Sequence, residues 1–198
     1  IGGGTTGVAI YEEGEILSSS VLPVGAGHIT NDIAIGLRTD IEVAEKIKLK
    51  YLKNLAAKVS QSEKLKIEEL GSEDGIISRR DLYDIVNARL EEIFLMVGDE
   101  FKKVGKSGML PGGVVLTGGG ANLSGIDEIA KEVLKLPVTI GKPTGLHGLT
   151  DKIDDPAFAA PVGLMLENMN FAGPTDRANA KIGETVDRLK KTLRNLLP

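Results

Sequence analysis

Residues 114–123 read Val-Val-Leu-Thr-Gly-Gly-Gly-Ala-Asn-Leu. Val114, Val115 and Leu116 make a compact apolar run, three glycines stop it, and the apolar spacing of residues 124–134 is then helical. A buried strand, a glycine loop and a helix in that order mark an open α/β sheet, which leaves a ligand crevice beyond the carboxyl end of its strands. Gly118, Gly119 and Gly120 would also let a flat ring lie against backbone. A plain strand-to-helix turn explains this loop alone equally well. The chain opens on a second glycine loop, Ile1-Gly-Gly-Gly-Thr-Thr-Gly7. Here Gly2, Gly3 and Gly4 allow backbone N–H groups to converge on an anion, and Thr5 and Thr6 add hydroxyl donors. The competing reading is a flexible end. The Walker and dinucleotide patterns both fail, because no Gly-Lys-Ser/Thr follows and no helix opens directly. Taken together, two such loops fit one nucleotide, one holding phosphates and the other facing base and sugar.

Working outward, residues 8–11 and 15–24 read as an antiparallel hairpin around the turn at 12–14. Ile1 is then the end of a preceding strand, and the sequence is expected to be a fragment. Residues 29–37 and 41–52 have helical spacing, with Thr30 and Thr39 or Asp40 as candidate caps. Residues 64–70 alternate as a short strand, and 77–104 carry a long helical period with Ser78 as N-cap. A strand at 137–140 and a helix at 156–169 follow. Residues 170–180 are small and polar and read as a linker. In the last segment Ile182, Val186, Leu189, Leu193 and Leu196 recur at alternating spacings of four and three, with Leu197 beside them and Lys190, Lys191 and Arg194 between. From residue 181 onward five basic and two acidic residues give +3, against −7 for the rest. A basic amphipathic helix lies on an anionic membrane surface or docks on protein, and a disordered end is the third reading.

Composition narrows the function. Of 198 residues, 28 are acidic and 24 basic, for a net charge of −4, which argues against a nucleic-acid binder. There is no Cys and there are two His, so disulfides, thiolate metal sites and thiol nucleophiles are excluded. No apolar run reaches the ~18 to 20 residues of a membrane span, and no signal peptide is visible, so the expected compartment is cytoplasmic. The 25 glycines are nearly twice the usual ~7%, in keeping with turns and ligand contacts.

The combination of Ile1-Gly-Gly-Gly-Thr-Thr, Thr30-Asn-Asp-Ile-Ala-Ile-Gly-Leu-Arg-Thr39, Ala44-Glu-Lys-Ile-Lys48 and Val114-Val-Leu-Thr-Gly-Gly-Gly-Ala121 resembles the FtsA family of bacterial cell-division proteins, within the actin, DnaK-type chaperone and sugar-kinase superfamily. It covers roughly residues 1–170. Residues 30–39 point to FtsA rather than to its relatives, and residues 148–165 resemble the end of the family's second lobe. The resemblance implies an α/β, actin-like (ribonuclease H-like) ATPase lobe. Residues 1–28 and 108–169 would be its core, 29–107 an inserted α+β subdomain, 170–180 a linker and 181–198 an amphipathic helix.

By the same resemblance Gly2, Gly3, Gly4, Thr5 and Thr6 would contact the β- and γ-phosphates of ATP with Mg²⁺. Glu45 and Lys48 would lie near ribose and adenine, and Gly118, Gly119 and Gly120 against adenosine. Without the family, Glu45 and Lys48 read as an exposed helix face. Gly7 stands where the family usually has Asp, and the other lobe's phosphate loop is absent, so weak nucleotide binding and negligible hydrolysis are expected. The insert would receive the acidic C-terminal peptide of FtsZ, with Arg79, Arg80 and Arg89 as candidates, or these are a solvated helix face. The tail would bind anionic membrane, and filament formation would need the full-length protein. The resulting function is an adaptor tying FtsZ to the inner face of the membrane at the division site. The alternatives are a kinase or phosphatase of the superfamily, or a pilus-assembly adaptor, against which residues 30–39 argue.

Overall fold

The computed structural model describes residues 1–52, 63–68, 75–144 and 153–171, in two compact units, 1–159 and 160–198. The first unit opens with the expected hairpin, β1 (Thr6–Glu12) and β2 (Glu15–Leu22), antiparallel with a register shift between Ile10 and Tyr11. Alternation places Thr6, Val8 and Ile10 inside. Helices α1 (Ala26–Leu37) and α2 (Ile41–Tyr51) follow, then a small antiparallel pair, β3 (Lys64–Lys66) and β4 (Ile76–Ser78). The strand foreseen at 64–70 is therefore shorter, with its last two positions outside the described residues.

The 25-residue helix α3 (Arg79–Lys103) is the spine of this unit. Ser78 caps it by accepting from the Asp81 N–H at 3.3 Å. Its Leu82, Val86, Leu90, Ile93, Phe94, Val97 and Phe101 recur at spacings of three and four and are all buried. They join Ile29 and Ile33 of α1, Ile47 of α2 and Val8 and Ile10 of β1 in one core. Each such side chain taken from water stabilises the fold by about 1.5–3 kcal/mol. Helix α1 approaches α3 closely at Gly36, where a Cβ would lie 2.5 Å from Ile85 Cδ1 and would displace the end of that side chain.

Strand β5 (Val114–Leu116), a 3₁₀ turn (Gly119–Asn122), helix α4 (Ile126–Leu134) and strand β6 (Val138–Ile140) complete a parallel βαβ unit, with Val114 opposite Val138. An apolar cleft of about 780 Å³ separates β1 from β5 and is floored by Phe94, Val97 and Phe101. Helix α5 (Ala159–Phe171) carries the described residues of the second unit, 160–171.

Two capping expectations are corrected. Helix α1 begins at Ala26 with Gly25 as N-cap, three residues before the expected start, so Thr30 lies inside the helix and is buried. Asp40 does occupy the N-cap position of α2, but its side chain makes no capping bond.

Candidate functional site

The two glycine loops meet at Ile1. Its N donates to Thr117 O at 2.6 Å, and its carbonyl accepts from Gly120 N at 3.0 Å. That approach is possible only with glycine: a Cβ on Gly118, at φ +87°, would lie 2.5 Å from Ile1 O, and one on Gly120 would lie 2.6 Å from Ile1 Cγ2. The far side of the second loop is tied down too. Gly118 N donates to Pro156 O at 2.9 Å, and Asn122 Nδ2 donates to Asp155 Oδ1 at 2.8 Å. The hydrogen bond from Asn122, with one from Ala157 N, holds the Asp155 carboxyl below its ordinary value.

The first loop folds on itself through Gly2 N donating to Thr5 O at 2.8 Å, and then docks on the start of α1. Ala26 N donates to Gly2 O at 2.8 Å and Gly27 N to Gly3 O at 2.7 Å. Two of the N–H groups that any helix leaves without an intrahelical partner are thus satisfied by the glycine loop. Gly25 and Gly27 are required there, because their Cβ atoms would come within 2.6 Å of Gly2 O and 2.8 Å of Gly3 O. The sequence showed these glycines only as punctuation; the carbonyls they approach lie more than twenty residues away.

Outward exposure divides the expected site residues. Gly3, Gly4, Thr5 and Gly119 are exposed, with open space around Gly3 and Gly4, while Gly2, Gly118 and Gly120 are engaged in backbone contacts. Thr6 is buried, and its hydroxyl donates to Val24 O at 2.8 Å, so its proton is directed inward, away from any phosphate.

Glu45 and Lys48 of α2 reach α1, the helix on whose first turn the first loop docks. Lys48 is 7% exposed, and its ammonium donates to Ala26 O at 3.3 Å, Thr30 Oγ1 at 2.9 Å and Glu45 Oε2 at 2.7 Å. Those are all three of its protons. Glu45 Oε2 also accepts from the Thr30 hydroxyl at 2.5 Å, and the Glu45 side chain is 42% exposed. Burial alone pushes the Glu45 carboxyl up, but the hydrogen bonds from Lys48 and Thr30 and the lysine charge outweigh it and hold the carboxyl below its ordinary value. The exposed-helix-face reading of Lys48 is thereby corrected: the side chain crosses to α1 and is buried. Thr30, read as a cap, sits at the centre of this network.

The candidate arginines of α3 diverge. Arg89, 24% exposed, grips Asp32 of α1 bidentately, Nε to Oδ2 at 2.6 Å and Nη2 to Oδ1 at 2.9 Å, and its Nη1 reaches Glu92. The Asp32 hydrogen bonds raise its affinity for its proton further. Arg79 pairs with Glu63 and lies 5.0 Å from the Tyr83 ring centre. Arg80 is 46% exposed, with Asp84 at 3.5 Å. The membrane candidates in 181–198 lie outside the described residues. Among those described, no helix is long and apolar enough to cross a membrane and no group of acidic or imidazole side chains could hold a metal.

A family model described as "Cell division protein FtsA" matches residues 1–163. The chain belongs to the FtsA family. Cell division protein FtsA of Pseudomonas aeruginosa is 34% identical over 201 residues, 96% of this chain and 48% of the relative. The FtsA of Neisseria meningitidis is 37% identical, over 83% of this chain and 40% of the relative. That of Escherichia coli is 30% identical, over 98% and 49%. The chain thus spans about half the length of the curated relatives it matches. Among solved structures, the ethanolamine utilization protein EutJ from Carboxydothermus hydrogenoformans has a TM-score of 0.56 at 25% identity, over 82% of this chain and 46% of EutJ. MreB5 of Spiroplasma citri bound to AMPPNP has 0.60 at 21%, over 92% and 54%, and a PilM-PilN type IV pilus biogenesis complex has 0.61 at 20%, over 84% and 44%. The fold of this FtsA family member is therefore the actin-like one that the family resemblance implied, and the strand, glycine loop and helix at 114–134 form the α/β element read from the residues alone.

Proposed function

We propose that this chain forms one wall of an ATP site in an actin-like division adaptor that ties FtsZ filaments to the inner face of the cytoplasmic membrane. The observation that carries the nucleotide part is the convergence of both glycine loops on Ile1, with Glu45 tied through Lys48 to Ala26, the residue whose N–H holds the first loop. In this reading the open N–H groups around Gly3 and Gly4 take phosphate oxygens, Gly119 lies against the adenosine, and the Glu45 carboxylate accepts from ribose hydroxyls. Mg²⁺ would be held through the phosphates, as this hard cation commonly is. The likeness to MreB5, a protein whose structures contain AMPPNP and ADP, supports the assignment. The insert at 29–107 receives the acidic FtsZ C-terminal peptide, Arg80 being the candidate arginine with the most open guanidinium. The tail residues Ile182 to Leu197 then supply the membrane contact, and the full-length protein the filament.

Titration of this chain with a fluorescent FtsZ C-terminal peptide, read by anisotropy, tests the adaptor. Saturable binding that weakens with Arg80→Glu is expected. Absence of binding by the folded chain would overturn the FtsZ reading, and a parallel titration with a fluorescent ADP decides the nucleotide reading separately.

A further inference from the structure

We infer that Thr30 is a positioning residue of the candidate site, holding Glu45 so that one carboxylate oxygen, Oε1, faces a bound nucleoside while the Lys48 ammonium remains inside. The inference deepens the nucleotide reading above and rests on it. Thr30 is 3% exposed and lies in the second turn of α1. A threonine within a helix ordinarily turns its hydroxyl back to the carbonyl four residues earlier. Here that carbonyl is Ala26 O, and Lys48 Nζ occupies it at 3.3 Å. The Thr30 hydroxyl is left to act in both directions, accepting from Lys48 at 2.9 Å and donating to Glu45 Oε2 at 2.5 Å.

Three consequences follow from counting donors and acceptors. Lys48 has no proton left for a ligand, so its part is to orient Glu45 and to clamp the first turn of α1, on which Gly2 and Gly3 dock. Glu45 has Oε2 engaged twice, and among the described residues Oε1 has no partner. Thr30 cannot be replaced by an isostere without a hydroxyl, since both neighbours would lose a partner, while serine retains the group.

The test uses this chain with ¹³C-labelled glutamate. The Glu45 carboxyl is titrated by NMR in wild type, Thr30→Val and Thr30→Ser, and each is titrated with fluorescent ADP and with inorganic triphosphate. In Thr30→Val the Glu45 midpoint should rise toward the ordinary 4.5. ADP affinity should fall about tenfold or more, the scale of a lost hydrogen bond to a charged group. Triphosphate affinity should hold, and Thr30→Ser should restore both values. An unchanged Glu45 midpoint in folded Thr30→Val, or equal losses of ADP and triphosphate, would overturn the inference. Should Thr30→Val fail to fold, the wild-type Lys48 ammonium decides: its protons must exchange slowly in ¹⁵N spectra, and fast exchange refutes the network. A wild type that binds no ADP sinks the nucleotide reading instead, and the Glu45 titration still tells whether Thr30 holds the carboxylate.

Discussion

Gly118 and Gly4 belong to loops of the same composition and do opposite things. At Gly118 φ is +87° and a Cβ would meet Ile1 O at 2.5 Å, whereas at Gly4 nothing lies within 4 Å. Gly118→Ala should therefore cost about 1–3 kcal/mol through backbone strain and the clash, seen as a lower urea midpoint. Gly4→Ala should stay within about 0.5 kcal/mol while weakening ADP binding. Equal stability losses would erase the division between glycines that join the loops and glycines that face a ligand. Glu45 gives a pH signature at the same scale. Its carboxyl is held below the ordinary value of 4.5 in the folded state, so its contribution to stability is complete above about 4.5 and is lost as pH falls through the lower folded value. Glu45→Gln should flatten that part of the acid limb in thermal melts recorded from pH 6 to 3. An unchanged limb would mean that Lys48 and Thr30 do not favour the charged form. Neither the division of glycines nor the Thr30 hub was legible in the sequence. Both depend on atoms brought together from distant positions, such as Lys48 Nζ at Ala26 O and Ile1 O at Gly118.

At the scale of elements, helix α3 was readable almost to its ends, because its apolar period is long and Ser78 supplies a local start signal, an N-cap that needs no tertiary contact. Helix α1 was read three residues short for the converse reason. Gly25-Ala26-Gly27 has poor helix propensity, and the helix starts there because Gly2 O and Gly3 O accept its first N–H groups. The same difference governs the arginines. Arg89 joins α3 to α1 through two hydrogen bonds to Asp32, a link spanning 57 residues that no local pattern reveals. Arg89→Ala should cost about 1–3 kcal/mol by stripping the half-buried Asp32 of its partner, measured by urea denaturation. Arg80→Glu, on the exposed side, should change stability by less than about 0.5 kcal/mol. Peptide binding lost through Arg89 would thus carry a folding contribution that Arg80 avoids. If Arg89→Ala leaves the midpoint unmoved, the α1–α3 ion pair carries no weight and Arg89 returns as a clean probe of the proposed FtsZ-peptide site.

At the scale of the whole chain, the buried core runs from Val8 to Val138, and the first compact unit ends at residue 159. We expect the stability of that unit to come from this core, whereas the basic segment at 181–198 is distinguished in the sequence by its +3 charge and four/three apolar spacing. A chain ending at residue 171 should melt within a degree or two of the full one and keep its ADP affinity. Its behaviour with lipid should differ. Apolar burial and attraction to anionic headgroups act together on a basic amphipathic helix, and the second force is screened within about 8 Å at physiological salt. The full chain should thus co-sediment with vesicles containing phosphatidylglycerol, bind neutral phosphatidylcholine vesicles less, and release as salt rises, while the shortened chain stays in the supernatant throughout. Equal sedimentation of the two chains would move the membrane contact to residues 1–171. A lower melting temperature for the shortened chain, with no lipid binding by either, would instead assign the tail to packing on protein.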